Sequence, residues 1–219
     1  MPDSLHILAL GATGPSGVPF CHDALARGHT LMIYGRNPQK LPASISQHPK
    51  VTLIQGKCSD EAQLERAANC GASVFVSFLG PIAEQQGFPM FTAYKFLIPL
   101  LLKYQCTRAL ILCTPAFDAP EDRNSPFWDQ VRAGIQSHIP LSFQEMKTLG
   151  NYMSSIPTDD LKWSMFQVPH LTDDEAKPVN EAWVCDENRG VSLSRPSLAV
   201  WVLDEIEKGG VGWESSRVE

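Results

Sequence analysis

The sequence has little of three features that would define its class at once. Its six cysteines form no C-x-x-C pair and no zinc-ligand spacing, so we expect neither a disulfide framework nor a metal site, and we predict a reducing compartment, the cytoplasm. Basic runs are also absent: the 18 Lys and Arg residues are scattered and the formal net charge is −6, which argues against nucleic acid as a partner. The apolar segment 88–102 contains Lys95 and Pro99 and is too short to span a bilayer, so no membrane partner is expected.

The most informative segment that is present is Leu5–Gly17, which reads LHILALGATGPSG. An apolar run of strand length ends at Gly11, and further glycines follow at Gly14 and Gly17 before a stretch compatible with a helix. A strand, a tight turn and a helix N-terminus together form a cradle for a pyrophosphate. Gly11 permits the turn, Gly14 lets the backbone approach the phosphates, and Gly17 lets the helix pack closely against the strand. The segment therefore predicts a dinucleotide-binding site after the first strand.

Apolar runs of strand length alternate with helical patterns along most of the 219 residues, a length that suits a single domain. Because the predicted strands are continuously apolar, we expect a parallel sheet covered on both faces, a doubly wound α/β (Rossmann) fold over residues 1–219. The predicted strands are Leu5–Leu10, Thr30–Tyr34, Val51–Gln55, Ser73–Leu79, Ala109–Cys113 and Trp163–Val168, and the predicted helices are Val18–Arg27, Asp60–Asn69, Phe91–Tyr104 and Leu141–Ile156.

The last third of the chain predicts smaller elements around this sheet. Asn180–Cys185 and Gly190–Leu193 have the pattern of a short hairpin, and a final helix is predicted at Ser197–Lys208. The polar tail from Val211 is expected to fray. The Pro- and acid-rich stretch Ala119–Pro126 follows the fifth strand, where ligand crevices open. We therefore predict lid elements around residues 115–150 and 169–195.

The end of the second predicted strand indicates which nucleotide is bound. Sites that prefer NAD carry an acid there for the ribose 2′-hydroxyl, but this strand ends Ile33-Tyr34-Gly35-Arg36-Asn37. The Arg36 guanidinium suits a 2′-phosphate. We therefore predict NADP(H) as the cofactor, with a solvated turn as the structural alternative for Arg36.

The pattern G-A-T-G-x-x-G, a second strand leading into Gly-Arg-Asn-Pro and Phe-Leu-Gly after strand four together resemble the atypical short-chain dehydrogenases. Within that group the chain is most similar to NmrA-like and biliverdin-reductase-B-like (flavin reductase) proteins. The resemblance implies a pyrophosphate site at Gly11, Thr13, Gly14, Ser16 and Gly17, a 2′-phosphate site at Arg36, an adenosine side at Leu79 and Gly80, and a nicotinamide side at Cys113, Thr114 and Pro169. Gly56-Lys57 departs from the family's Gly-Asp, so the usual adenine contact is not implied.

Many short-chain dehydrogenases protonate their substrate through a Tyr-x-x-x-Lys pair and orient it with a serine. This chain has no Tyr-x-x-x-Lys, and alignment to the family places its lysine at Lys147 and its tyrosine at Phe143. After the fifth strand, the relatives' Cys-Thr-Ser-Ala-Phe is Cys-Thr-Pro-Ala-Phe here, with Pro115 at the serine position. The cofactor cradle is thus predicted to be kept while the usual proton donor is lost.

Four side chains are candidates for acid, base or polarising roles, namely Lys147, Thr114, His170 and Tyr152, and Asp118 is a further one. Structural alternatives are a solvated helix face for Lys147, a hydrogen-bonded loop for His170 and core packing for Tyr152. An apolar substrate pocket is predicted from Pro115, Phe117, Phe127, Trp128 and Phe143, although a core aromatic cluster would explain the same aromatics.

Three functions fit these observations. The leading prediction is an NADPH-dependent reductase of a small apolar molecule, aromatic or polyketide-like, or of a flavin or quinone. The second is a redox-silent cyclase or isomerase that closes a ring in natural-product metabolism of the fungal type (secondary metabolism). The third is a regulator that senses NADP. In each case the expected partner is a small molecule, and the sequence leaves open whether the chain forms a homodimer.

Overall fold

The computed structural model describes residues 4–81, 87–119, 122, 125–179, 181–182, 191–208 and 216–218. Within these ranges the backbone forms one large sheet and one two-stranded sheet. The strands are β1 (His6–Leu10), β2 (Thr30–Gly35), β3 (Val51–Gln55), β4 (Val74–Ser77), β5 (Arg108–Cys113), β6 (Lys162–Gln167), β7 (His170–Thr172), β8 (Glu181–Ala182), β9 (Ser192–Ser194) and β10 (Ser216–Val218).

The same described ranges contain seven α-helices, none of which is long and apolar enough to cross a membrane. They are α1 (Gly17–Ala26), α2 (Ala43–Ser46), α3 (Glu61–Ala68), α4 (Pro89–Lys103), α5 (Pro126–His138), α6 (Pro140–Ser154) and α7 (Arg195–Lys208). Every long strand and helix predicted from the sequence overlaps one of these elements. The patterns do not predict α2 or α5.

Helix α5 begins at the end of the stretch Ala119–Pro126, which was predicted to be a lid element. Residues 120, 121, 123 and 124 of that stretch lie outside the described part of the chain. Ser125 is the N-cap, its hydroxyl accepts the Trp128 N–H at 3.5 Å, and Pro126 occupies the first helical position. A capping serine followed by proline is a usual helix start, so Pro126 marks the beginning of a helix that the sequence patterns do not predict.

The large sheet has the strand order β3-β2-β1-β4-β5-β6-β10-β8. Strands β1–β6 and β10 are parallel, and β8 pairs antiparallel with β10. This confirms the predicted doubly wound fold. The order reverses at β1, whose last residue Leu10 is flanked by Tyr34 of β2 and Ser77 of β4. Connections leave β1 and β4 in opposite directions at such a switch point, so a crevice opens beyond their carboxyl ends.

Both faces of the sheet are buried, which explains why the strands are continuously apolar. Successive side chains of β1 point to opposite faces: Ile7 and Ala9 belong to the core beneath α1 and α7, and Leu8 and Leu10 belong to the core beneath α3, α4 and α6. All four side chains are at most 2% exposed. A strand buried on two sides has no solvent face to carry polar residues.

The C-terminal pairing differs from the predicted hairpin. Ser192–Ser194 pairs in parallel with His170–Thr172 rather than with the segment around residue 181, and residues 183–190 lie outside the described chain. Residues 181–182 pair instead with β10, which lies in the tail that was expected to fray. The frayed-tail prediction is wrong for residues 216–218. They pair in parallel with β6 and add a strand to the sheet. Without them, the edge of β6 would leave backbone N–H and C=O groups unpaired.

A buried carboxylate that the sequence patterns do not single out positions α4 against α6. Oε1 of Glu145, which is 5% exposed, accepts the backbone N–H groups of Met90 at 2.6 Å and Phe91 at 3.1 Å. These N–H groups belong to the first turn of α4, where they lack intrahelical partners. Burial raises the pKa of Glu145, while the two N–H donors oppose that rise. Glu145 therefore supplies the acceptor for two N–H groups in the first turn of α4, and its carboxyl group is buried as a consequence.

The raised pKa predicts that Glu145 makes stability depend on pH. The folded state binds the Glu145 proton more tightly than the unfolded chain does, so this residue stabilises the fold most at low pH, and its contribution falls as the pH rises through the folded-state pKa. Glu145→Gln does not titrate there. The free energy of unfolding is measured in urea for both proteins. The wild-type value minus the value of this variant should decrease between about pH 4 and pH 7. A difference that stays constant over this range would contradict the prediction.

Candidate cofactor and substrate site

A cleft with a volume of about 610 Å³ lies at the carboxyl ends of the parallel strands. Its floor consists of residues at or just beyond the ends of β1, β2, β4, β5 and β6, and residues of α5 and α6 form one wall. The residues predicted for the cofactor side that line this cleft are Gly11, Thr13, Gly14, Ser16, Arg36, Leu79, Gly80 and Thr114. Phe143, which was predicted for the substrate pocket, lines this cleft instead.

The glycine turn after β1 leaves no room for side chains on its inner surface. Gly11 has a φ of +72°, and a Cβ there would lie 2.6 Å from the Phe78 carbonyl carbon. The Gly14 N–H donates to the Gly11 carbonyl at 3.0 Å, which closes the turn. Gly17 does not line the cleft; a Cβ there would lie 2.5 Å from the Ala12 Cα, so this glycine allows α1 to approach the turn closely. These contacts agree with the roles predicted for Gly11 and Gly17.

The N-terminus of α1 is electrostatically suited to an anion. Ser16 is the N-cap, lines the cleft, and makes no capping hydrogen bond with its side chain. The first turn of α1 contains no acidic residue, so none of its own carboxylates compensates the positive end of the helix dipole. A bare glycine turn and an uncompensated helix start together fit a pyrophosphate.

The end of the cleft beside β2 is rich in cations. Arg36 and Lys40 line the cleft, and Arg36 also lines a side pocket together with Lys57. The turn is held in place by two hydrogen bonds: the Arg36 carbonyl accepts from Gln55 Nε2 at 3.1 Å, and the Tyr34 hydroxyl donates to the Lys57 carbonyl at 2.8 Å. Burial raises the pKa of Tyr34 to about 12, so this hydroxyl keeps its proton. Arg36, Lys40 and Lys57 lie around this end of the cleft and can hold a phosphate group, although Asp60 and Glu61 also line the side pocket.

A second pocket of about 520 Å³ adjoins the other end of the cleft. Thr114, Val168, Leu171, Ile135 and Arg195 line both spaces, so the two are continuous. The remaining lining of the second pocket is mostly apolar and includes Pro115, Phe127, Trp128, Pro169 and His170. We call this space the apolar pocket. Its walls suit a small apolar molecule.

Two residues predicted to line the site lie in the core instead. Cys113 is fully buried, its thiol donates to the Thr114 carbonyl at 3.7 Å, and it lines neither space. Phe117 is 2% exposed and packs so tightly on α6 that a Cβ on Gly150 would collide with its ring. Strand alternation explains Cys113, because Leu112 and Thr114 on either side of it line the cleft while Cys113 faces the opposite side of the sheet.

The predicted acid and base candidates are not brought together. Thr114 lies at the junction of the cleft and the apolar pocket, and His170 lines the apolar pocket with an exposed ring. Lys147 is exposed on α6 and lines neither space. Tyr152 is half-buried and packs edge-on against Phe91, with a ring separation of 5.8 Å. Asp118 is ion-paired with Arg132. These positions do not favour catalytic roles for Lys147, Tyr152 or Asp118.

Sequence reasoning missed Arg195, which lines both the cleft and the apolar pocket. It occupies the first position of α7, two residues before the predicted start of that helix. Its partner Asp173 is far away in sequence, so the ion pair that holds it in place is visible only once β7 and β9 are paired. The Arg195-Pro196 step marks a helix start, but it does not reveal where the arginine points.

A doubly wound sheet that opens at its switch point onto a glycine turn is the architecture of dinucleotide-binding Rossmann proteins, and this chain has that architecture. Residues 11–208 match the family described as NAD(P)H-binding. The chain therefore belongs to the NAD(P)H-binding family, as its resemblance to short-chain dehydrogenases predicts. No curated protein matches the chain.

Solved structures with the same fold include several reductase-like proteins. A short-chain dehydrogenase/reductase from Veillonella parvula in complex with NADP aligns with a TM-score of 0.78 and 16% identity over 99% of this chain and 94% of the other. Anaerobilin reductase from Escherichia coli O157:H7 aligns with a TM-score of 0.77 and 13% identity over 97% and 96% of the two chains. A Rossmann-fold NAD(P)-binding family protein from Shigella flexneri aligns with a TM-score of 0.72 and 14% identity over 99% and 94%. At these identities the likeness concerns the fold.

Proposed function

We propose that the protein is an NADPH-dependent reductase of a small apolar molecule, with flavins, quinones and aromatic or polyketide-like compounds as the substrate classes. The observation that carries this proposal is the junction at Thr114, where the cleft containing the glycine turn meets the apolar pocket. A molecule in the apolar pocket would therefore lie next to the part of the cofactor that occupies this end of the cleft. The NADP-bound fold relative and the anaerobilin reductase support the same class of activity.

The residues of the cleft fit the phosphorylated dinucleotide. The glycine turn and the start of α1 would hold the pyrophosphate, Arg36 with Lys40 and Lys57 would hold the 2′-phosphate, and Leu79, Gly80 and Val168 would line the path toward Thr114. When bound, NADPH supplies a hydride. Phe143 and Met146 of α6 exclude water from this wall of the cleft because both are apolar and nearly buried.

Thr114 is the hydroxyl of this chain best placed to polarise a substrate. Its Oγ1 accepts the Ala116 N–H at 3.4 Å, and no acceptor for its hydrogen is present among the described residues. The hydroxyl can therefore donate to an oxygen or nitrogen of a substrate at the junction. A substrate that needs no strong acid suits this arrangement, because a tyrosine–lysine pair is absent from the sequence.

The test is NADPH consumption, followed by the near-ultraviolet absorbance of the reduced nicotinamide, with FMN, a benzoquinone and a naphthoquinone as acceptors. We expect acceptor-dependent oxidation, and Thr114→Val, which keeps the shape but removes the hydroxyl, should lower kcat. An absence of oxidation with every acceptor, in a protein shown by calorimetry to bind NADPH, would contradict the reductase proposal.

The cations beside β2 predict a preference for NADPH over NADH. Arg36→Ala should weaken NADPH binding by about 10- to 100-fold, because a charge-assisted hydrogen bond contributes about 1.5–3 kcal/mol, and it should leave NADH binding nearly unchanged. Lys50→Ala is the matched control, since Lys50 donates to the Gly28 carbonyl at the opposite end of the sheet. Equal weakening of both nucleotides by Arg36→Ala would place Arg36 elsewhere than at a 2′-phosphate.

His170 favours a second candidate function, a cyclase or isomerase that does not consume NADPH. Its ring lines the apolar pocket, and an imidazole is a common general acid or base in catalysis. Turnover of a substrate without NADPH oxidation, with loss of activity in His170→Ala, would support this candidate over the reductase.

A further inference from the structure

Arg195 is the structural feature of the site that the proposed function leaves unused. Its side chain is 19% exposed, and Nη1 donates to Asp173 Oδ1 at 2.7 Å, on a side chain that is 84% exposed. The Arg195 Nε is buried and has no hydrogen-bond partner among the described residues. A buried donor without an acceptor destabilises the fold, so this N–H requires an explanation.

Local structure does not account for the position of this arginine. Arg195 is the first residue of α7, where the helix dipole disfavours a cation. Its single carboxylate partner is on the surface, where ion pairs contribute little. The guanidinium thus gains little from the fold at this position, and one of its donors is left buried beside a cavity.

The described residues that line the cavity around Arg195, which comprises the cleft and the apolar pocket, include no aspartate or glutamate. Arg195 lines both spaces at their junction, and His170 is the other ionisable side chain on the apolar pocket. The described lining of the junction is therefore largely apolar, and the charge of Arg195 there is paired with the exposed carboxylate of Asp173.

We propose that Arg195 anchors a carboxylate of the substrate, so that the apolar pocket takes an apolar, ring-sized molecule that carries a carboxylate. Asp173 holds Nη1, and Nε is buried, so Nη2 is the donor that a carboxylate at the junction reaches first. A small shift of the guanidinium toward the cavity would bring Nε to the same carboxylate and give it the acceptor that it lacks. The apolar body then lies against Pro115 and Trp128, with its carboxylate at the junction beside Thr114. This inference rests on the proposed function and specifies its substrate class.

The test compares two probes that differ only in charge, 2-naphthoate and 2-naphthamide, by calorimetry with the NADPH-loaded protein. We expect the wild type to bind the carboxylate at least about tenfold more tightly than the amide, and Arg195→Gln to remove this difference. Arg195→Lys keeps the charge without the two-donor edge and should retain only part of the preference. Lys162→Gln is the matched control, because it removes an exposed positive charge at the amino end of β6, away from the site.

Three outcomes would overturn the inference. The wild type could bind both probes equally or bind neither, Arg195→Gln could keep the preference, or Arg195→Gln could weaken NADPH while the preference remains, which would assign Arg195 to the cofactor. The affinity for NADPH is measured first. If the wild type does not bind NADPH, the proposed reductase function fails, and the two probes still decide the role of Arg195 on the nucleotide-free protein.

Discussion

Gly17→Ala is expected to reduce NADPH affinity by about 100-fold, although residue 17 does not line the cleft. The new Cβ would lie 2.5 Å from the Ala12 Cα and would also collide with the Gly11 carbonyl oxygen. Both obstacles are backbone atoms of the turn, so no side chain can rotate away to make room. The turn and the start of α1 must separate, which withdraws the helix N–H groups from the pyrophosphate. Restoring the wild-type turn so that it can hold the pyrophosphate would cost this overpacking energy, about 1–3 kcal/mol, and the upper part of that range corresponds to about 100-fold in affinity.

Calorimetry with NADPH measures this loss, and thermal unfolding followed by circular dichroism separates it from loss of the fold. Gly134→Ala is the matched control, since a Cβ on Gly134 in α5 would meet no atom within 4 Å. The control should bind NADPH as the wild type does and should unfold at the same or a slightly higher temperature, because alanine is the better helix former. If Gly17→Ala binds NADPH normally, the turn after β1 does not hold the nucleotide.

The nucleotide side of the site could be predicted from the sequence because its determinants are local. A strand, a turn and a helix start lie within Leu5–Gly17. Gly11 is favoured by its own positive φ, and a Cβ on Gly17 would collide with the backbone of Ala12 only five residues away. The positions of the strands could be predicted equally well, because a strand that is buried on both faces has an uninterrupted apolar sequence. The position of Arg36 in the cleft could be predicted because this residue comes directly after β2.

The substrate side could not be predicted in the same way because its determinants are distant in sequence. Arg195 reaches the junction through the pairing of β7 with β9 and its ion pair with Asp173. The assignment of Lys147 depends on an alignment across 119–158, where a shift of one residue turns a helix position by about 100°. The structure places Lys147 on the outer face of α6, whereas Phe143 and Met146 of the same helix face the cleft.

The largest loss of stability is expected from Phe166→Ala. Phe166 of β6 is fully buried and lies in a continuous row of rings, 6.1 Å from Phe78 and 5.7 Å from Trp201 of α7, measured between ring centroids. Phe78 in turn lies 5.1 Å from Phe20 of α1. Removing the central ring leaves a cavity that β6 and the two helices cannot fill without moving, and the free energy of unfolding should fall by about 3–5 kcal/mol. Because whole domains are stable by only about 5–15 kcal/mol, this is a large share of the total.

The position of Phe78 connects this loss to the function of the cleft. The Phe78 N–H donates to the Leu10 carbonyl at 3.0 Å, its own backbone lies against Gly11, and Leu79 and Gly80 directly after it line the cleft. Phe166→Ala should therefore weaken NADPH binding even at temperatures where the variant remains folded. Urea unfolding gives the stability and calorimetry the affinity, with Phe127→Ala as the control, because that ring is 45% exposed and its loss should cost less than about 1 kcal/mol. A variant that loses stability but binds NADPH with wild-type affinity would show that the row of rings supports the sheet without positioning the cleft.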